Sequence, residues 1–161
     1  MKFNPTFIAK TGFLLCALSV ILGAFASHIL KKYLPAEDLR VFNTGVQYQF
    51  IHSMAIWVLA LLHKKFKGNK LQYALYLFLT GIILFSGSLY LLATFSMWGD
   101  DRYSWIGVLT PLGGISFISG WCLLLLSSIK NKKKEAKKKR HAHKKLNKQK
   151  ASEDIGQIGV S

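Results

Sequence analysis

At 161 residues the chain has the length of one domain, yet 51% of it is hydrophobic while its formal net charge is +15. Segregation reconciles the two figures: residues 130–150 hold 12 of the 22 basic residues and a single acid, Glu135, and the first 129 residues carry the apolar content. That division excludes an ordinary soluble globular domain, whose charges spread over its surface, and also a large water-soluble catalytic core.

Four stretches are long enough to cross a bilayer, whose hydrocarbon core of about 30 Å takes about 20 helical residues. The first, residues 11–29, has no charge between Lys10 and Lys31. Lys2 and Lys10 ahead of it, and Ala24-Phe25-Ala26 at its end, outline a cleavable secretory signal. The length of the run and the four-residue recurrence of Ser19, Gly23 and Ser27 favour a retained helix, because small residues at that spacing let helices approach in lipid. Residues 30–43 follow as the first connection. Pro35 followed by Ala36, Glu37 and Asp38 reads as a helix start, and Leu39, Phe42 and Val46 continue it at helical spacing. The expectation is a short interfacial helix running into the second span, residues 44–62, which contains Gln47, Gln49 and His52. The third and fourth spans, residues 71–95 and 105–129, contain no charged residue. In the fourth, Pro111 predicts a kink beside Thr110 and the paired glycines.

Orientation follows from the loops. Lys64, Lys65, Lys67 and Lys70 crowd the second connection, and the tail is more basic still. The positive-inside bias therefore puts both termini and the second loop in the cytoplasm. Trp98, Tyr103 and Trp105 suit the opposite interface.

Helical rise places the intramembrane polar groups at similar depth. His52 lies about eight residues, roughly 12 Å, into the second span. His28 falls at the outer end of the first span, Ser86, Ser88 and Tyr90 in the last third of the third, and Thr110 near the start of the fourth. With Gln47 they form a candidate polar cluster in the outer half of the bilayer. Three readings stay open for it. The groups hydrogen-bond between helices; or they line a small outward-facing cavity in which His52 titrates; or His28 and His52 ligate a haem or metal. Gly81 and Gly87 in the third span, and Gly113, Gly114 and Gly120 in the fourth, support close helix packing.

No catalytic constellation emerges: the acids lie in loops or tail, and neither a phosphate loop nor a nucleophile beside a histidine is present. Cys16 and Cys122 sit inside spans without metal-ligand spacing. No cofactor and no metal is expected.

Gly23-Ala24-Phe25-Ala26-Ser27-His28, the run Phe42, Thr44 to Gln49, His52 and Ser53, then Leu84 to Tyr90 and Thr110-Pro111-Leu112-Gly113-Gly114 occur in that order, with Phe117, Gly120 and Trp121 trailing. Together they resemble the YgdD/YwdK-like family of small inner-membrane proteins, a domain-of-unknown-function family, over about residues 7–128. Ala26 stands where that pattern commonly has glycine. The resemblance implies four helices in a bacterial cytoplasmic membrane, a retained first helix, and no assigned activity or cofactor. The basic tail lies outside it.

The expected fold is therefore all-α: an integral membrane four-helix bundle over residues 1–129 and a disordered, lysine-rich cytoplasmic tail over 130–161. Lys64, Lys65, Lys130, Lys132, Lys133 and Lys134 are candidate contacts for anionic lipid headgroups, which attract such basic segments. Nucleic acid is disfavoured, because the tail lacks interleaved aromatics for base stacking. The expected role is a non-enzymatic membrane scaffold or accessory subunit, with a membrane-protein partner or a homo-oligomer in view. The alternative is a small-solute or proton-handling protein built around His52.

Overall fold

A computed structural model describes residues 4–63, 69–95 and 101–158, with side chains other than those of residues 101–104, 130–138, 142 and 144–158. The first helix, α1, runs Pro5–His28. Asn4 caps it by accepting the Thr6 N–H at 3.1 Å, and Pro5 fills the first turn, where a missing N–H costs nothing. One 3-10 turn, Leu30–Lys32, reverses the chain. Pro35 then sets the start of α2, Ala36–Leu62, with Glu37 and Asp38 at its positive dipole end. Glu37 also pairs with Arg40 on the exposed surface. The helix expected from Pro35 and the second span thus form one α-helix.

The third span comprises α3 (Lys70–Gly81), a π-helical turn (Ile82–Ser86) and α4 (Gly87–Phe95). A 3-10 segment, Asp101–Val108, leads into α5, Leu109–Ile158. Pro111 therefore stands in the first turn of α5. Its missing N–H has no helical partner to lose there, so the kink expected near the start of the fourth span gives way to a helix start. Among the described residues four stretches are long and apolar enough to cross a membrane: Pro5–Lys32, Ala36–Leu62, Lys70–Phe95 and Trp105–Ile129.

The chain divides into two units, Met1–Leu124 and Leu125–Ser161. In the second the backbone is helical through Ile158, where a disordered tail was expected. Lysine, alanine, arginine and glutamine are good helix formers, and elongating an existing helix escapes the cost of nucleation. No Gly or Pro interrupts the sequence between Gly120 and Gly156.

Within the first unit α2 packs along α1 and also meets α3, the π turn and α4. The α1 seam is built from small residues. Gly12, Ser19 and Ala26 are buried at seven-residue intervals, the spacing of a left-handed helix pair. At Gly12 a Cβ would lie 2.8 Å from the Trp57 backbone nitrogen, so α1 and α2 touch backbone to backbone. Gly23 flanks this seam half-buried, whereas Ser27 is exposed and turns its hydroxyl to the Gly23 carbonyl at 2.9 Å.

Two apolar clusters hold the two ends of the bundle. Ile8, Ala55, Ile56, Leu59, Leu71, Ala74, Leu75, Phe78, Ile82 and Phe117 form the larger. Ala26, Leu30, Leu34, Phe42 and Ala93 form the smaller. On α1, α2 and the third span the buried polar positions fall between them.

At Gly113 any Cβ would overlap the backbone of Phe85, inside the π turn, while at Gly114 the nearest atom would be 3.9 Å away. Gly113→Ala should therefore destabilise the bundle by about 1–3 kcal/mol, the usual cost of overpacking, and Gly114→Ala should be near neutral. Unfolding in mixed detergent–dodecyl sulfate micelles reads the difference, and equal effects would contradict the close approach at Gly113.

Candidate functional site

The polar layer is centred on α2. Gln49, His52 and Ser53 are buried on its inward face, with Gln49 3% and His52 5% exposed. The carboxamide of Gln49 reaches two other helices. Its Nε2 donates to the Leu15 carbonyl of α1 at 3.2 Å, and its Oε1 accepts the Tyr90 hydroxyl of α4 at 3.0 Å. Tyr90 can lie across α2 because Gly45, one turn before Gln49, has no side chain: a Cβ there would sit 2.8 Å from Tyr90 Cε1. Phe42 supports the same ring at a centroid distance of 4.7 Å. Ser53 returns its hydroxyl to the Gln49 carbonyl at 2.6 Å.

His52 is enclosed by aromatic rings. Its imidazole stacks on Phe117 of α5 at 3.4 Å between centroids and 9° between planes, with Phe78 at 5.7 Å. Nδ1 lies 2.8 Å from the Tyr48 carbonyl, and Trp121 Nε1 lies 3.3 Å from Nε2. A carbonyl only accepts and an indole N–H only donates. The ring is therefore the neutral Nδ1–H tautomer, donating to Tyr48 and accepting from Trp121, and both nitrogens are engaged.

Beside this centre, Ser88 and Thr110 share a hydrogen bond of 2.7 Å between α4 and α5. Ser116 donates to the Leu77 carbonyl of α3 at 2.8 Å. Leu77 lies in α3, five residues before the π turn begins at Ile82, and its carbonyl accepts this hydroxyl with the second lone pair that every backbone oxygen has. Ser86, the last residue of the π turn, is fully buried, and among the described residues its Oγ has no hydrogen-bond partner.

Of the residues singled out from sequence, His52, Ser86, Ser88, Tyr90 and Thr110 come together in this layer. His28 does not: it is exposed at the C-terminal end of α1. Gln47 does not either. It is exposed on the outer side of α2, because five helical residues separate it from His52 by about 140° around the axis. Gln49, three residues from His52, shares its face, and that spacing was the available signal for the residue the cluster lacked. Ser116 and Trp121 were also missed, and only the packing of α5 brings them in.

Gly81, Gly113 and Gly120 each meet a phenylalanine, namely Phe117, Phe85 and Phe78, whereas Gly87 and Gly114 have room for a side chain. Lys64 and Lys65 lie outside the described residues, as do Trp98 and the side chains of Tyr103, Lys130, Lys132, Lys133 and Lys134. Among the described residues no group of three His, Cys, Asp or Glu side chains could hold a metal ion. Cys16 and Cys122 are free thiols.

Replacing Gln49 by Leu removes two interhelical hydrogen bonds together. The expected loss is about 1–2 kcal/mol of stability, at the modest value per bond found in lipid. Ser86→Ala removes an unpartnered hydroxyl and should cost far less. Detergent unfolding of both variants checks the ranking, and a Ser86→Ala loss matching that of Gln49→Leu would contradict it.

Comparison with known proteins agrees with this membrane architecture. The family model described as "Protein of unknown function (DUF423)" matches residues 22–114. The UPF0382 membrane protein YwdK of Bacillus subtilis is 40% identical over 114 residues, 70% of this chain and 88% of its own length. The UPF0382 inner membrane protein YgdD of Escherichia coli K12 is 36% identical over 133 residues, 83% of this chain and 94% of its own. A UPF0382 membrane protein of Haemophilus influenzae is 39% identical over 128 residues, 79% of this chain and 94% of its own. No solved structure matches the chain. With its four spans and these relatives, the chain is a multi-pass membrane protein that belongs to the DUF423, or UPF0382, family of unknown function.

Proposed function

We infer that the protein is a non-enzymatic scaffold or accessory subunit of a bacterial cytoplasmic membrane. The observation that carries this reading is the state of the polar layer: His52, Gln49, Tyr90, Ser88, Thr110 and Ser116 spend their hydrogen bonds on neighbouring helices or on the backbone. A site that binds a solute or relays protons holds unsatisfied donors and acceptors toward its cargo. Here those groups serve helix association, which in lipid relies on close packing and interhelical hydrogen bonds because the tails are as apolar as leucine.

A second reading, a small-solute or proton-handling protein with an outward-facing cavity around His52, draws on one observation. Ser86 keeps a buried, unpartnered hydroxyl within the same layer. His52→Leu separates the two. Assembly through packing predicts a loss of about 1–3 kcal/mol, the cost of stranding the Trp121 and Tyr48 partners. A variant of unchanged stability with altered proton entry into dye-loaded proteoliposomes would overturn the scaffold reading in favour of the second.

The membrane and the orientation belong to the same proposal. The name of the Escherichia coli relative includes "inner membrane". The lysines of the second connection and of the tail favour a cytoplasmic face for both, within reach of anionic headgroups. A periplasm-active reporter fused to the C-terminus should be silent, and the same reporter inserted after Tyr33 should be active; the reverse pattern would invert the topology.

A further inference from the structure

Gln47, like Asn43 one turn before it, is a polar residue of α2 that the bundle does not take in. It is exposed and lies seven residues past Arg40 and sixteen before His63, about 10 Å and 24 Å of helix rise respectively. Counted from residue 44, where the second span begins, Gln47 lies about 4.5 Å of helix rise inside the span. Hydroxyls along these helices find their acceptors locally. Thr11 donates to the Phe7 carbonyl at 3.0 Å, Thr44 to Arg40 at 2.9 Å and Ser119 to Ile115 at 2.8 Å. A carboxamide has two donors and an acceptor to satisfy; Asn43, exposed one turn earlier, is the polar side chain nearest to it along the helix, and the described residues engage Gln47 in no hydrogen bond.

We propose that the outward stripe of α2 centred on Gln47 is the interface of a two-fold homodimer, a reading that deepens the scaffold role and rests on it. The stripe continues through Asn43, one turn toward the outer end, and through Ile51 and Met54 toward the inner end, which are 47% and 41% exposed. The occupant is a second copy because a carboxamide is self-complementary. Each Gln47 donates an N–H to the other's Oε1 and accepts one in return. A two-fold axis along the membrane normal sets every residue of the stripe against its own copy. Two identical chains also place that group at the same depth by construction, so neither helix has to shift to meet it.

The test uses the full-length protein in phosphatidylethanolamine–phosphatidylglycerol vesicles, with energy transfer between differently labelled copies followed as the protein-to-lipid ratio falls. The wild type should associate at low density. Gln47→Leu should need about tenfold more protein to reach the same degree of association, with its unfolding midpoint undiminished because the side chain is outside the core. In a Cys16→Ser, Cys122→Ser background, Met54→Cys should give a disulfide-linked dimer with copper–phenanthroline. Leu14→Cys, on the exposed face of α1, should not. Wild-type protein monomeric at every density, Gln47→Leu associating as the wild type, or equal cross-linking at 14 and 54 would each overturn the dimer. If the dimer falls while His52→Leu still loses stability without a change in proton entry, the scaffold reading stands by itself; if His52→Leu is stable and alters proton entry, both fall.

Discussion

A hydrogen-bonding group placed in hydrocarbon has no water to fall back on, and in this bundle the Gln49 carboxamide meets that constraint for three helices at once. Its amide nitrogen is tied to the Leu15 carbonyl and its oxygen to the Tyr90 hydroxyl. Both bonds hold only if α1, α2 and α4 keep one register. The empty position at Gly45 follows from this, because Tyr90 must cross α2 to arrive. So does the small-residue seam of α1, since Leu15 is within reach of Gln49 only when α1 lies against α2.

The fourth helix is joined to this frame by a different device. Phe117 stacks on His52, Trp121 donates to its free nitrogen, and Gly113 lets the α5 backbone meet Phe85 in the π turn. A π turn widens one step of the helix, and here it coincides with a close approach of the α5 backbone at Gly113. The unpartnered Ser86 hydroxyl ends the same turn. Apolar clusters above and below keep the polar layer closed, one around Phe42 and Ala93, the other around Phe78 and Leu59. Neither cluster drives assembly as a water-excluded core would, because lipid is an equally good solvent for them. They supply shape, and the hydrogen bonds supply specificity.

Membership of a family of unknown function means that relatives bring an architecture and no activity. What distinguishes one functional reading from another is the state of the polar layer, in which the described side chains are hydrogen-bonded apart from the Ser86 hydroxyl. A histidine in a membrane span is a functional candidate by default, and this one is stacked, bonded on both nitrogens and enclosed. Gln47, whose side chain the bundle leaves outside, is the polar group with the strongest reason to look for company beyond the chain.

The number and order of the apolar helices were legible in the sequence alone, because the transfer of apolar side chains into lipid and the demand for internal backbone hydrogen bonds act on each segment separately; their lengths were not, since the first and second helices begin at Pro5 and Ala36 rather than at residues 11 and 44. The start of α2 at Pro35 and the depth of His52, Ser86, Ser88, Tyr90 and Thr110 were equally local, needing only proline geometry and the helical rise. The partners of those groups were a tertiary matter. Gln47 and Gln49 are chemically identical and two residues apart, and only the side on which α1 and α4 pack makes one a three-helix link and leaves the other exposed. Likewise Gly12 and Gly45 prove to be contact points where Gly87 and Gly114 do not, since a glycine's role depends on what approaches it. Rotation of each helix about its own axis is fixed by its neighbours, and a single span carries no record of them.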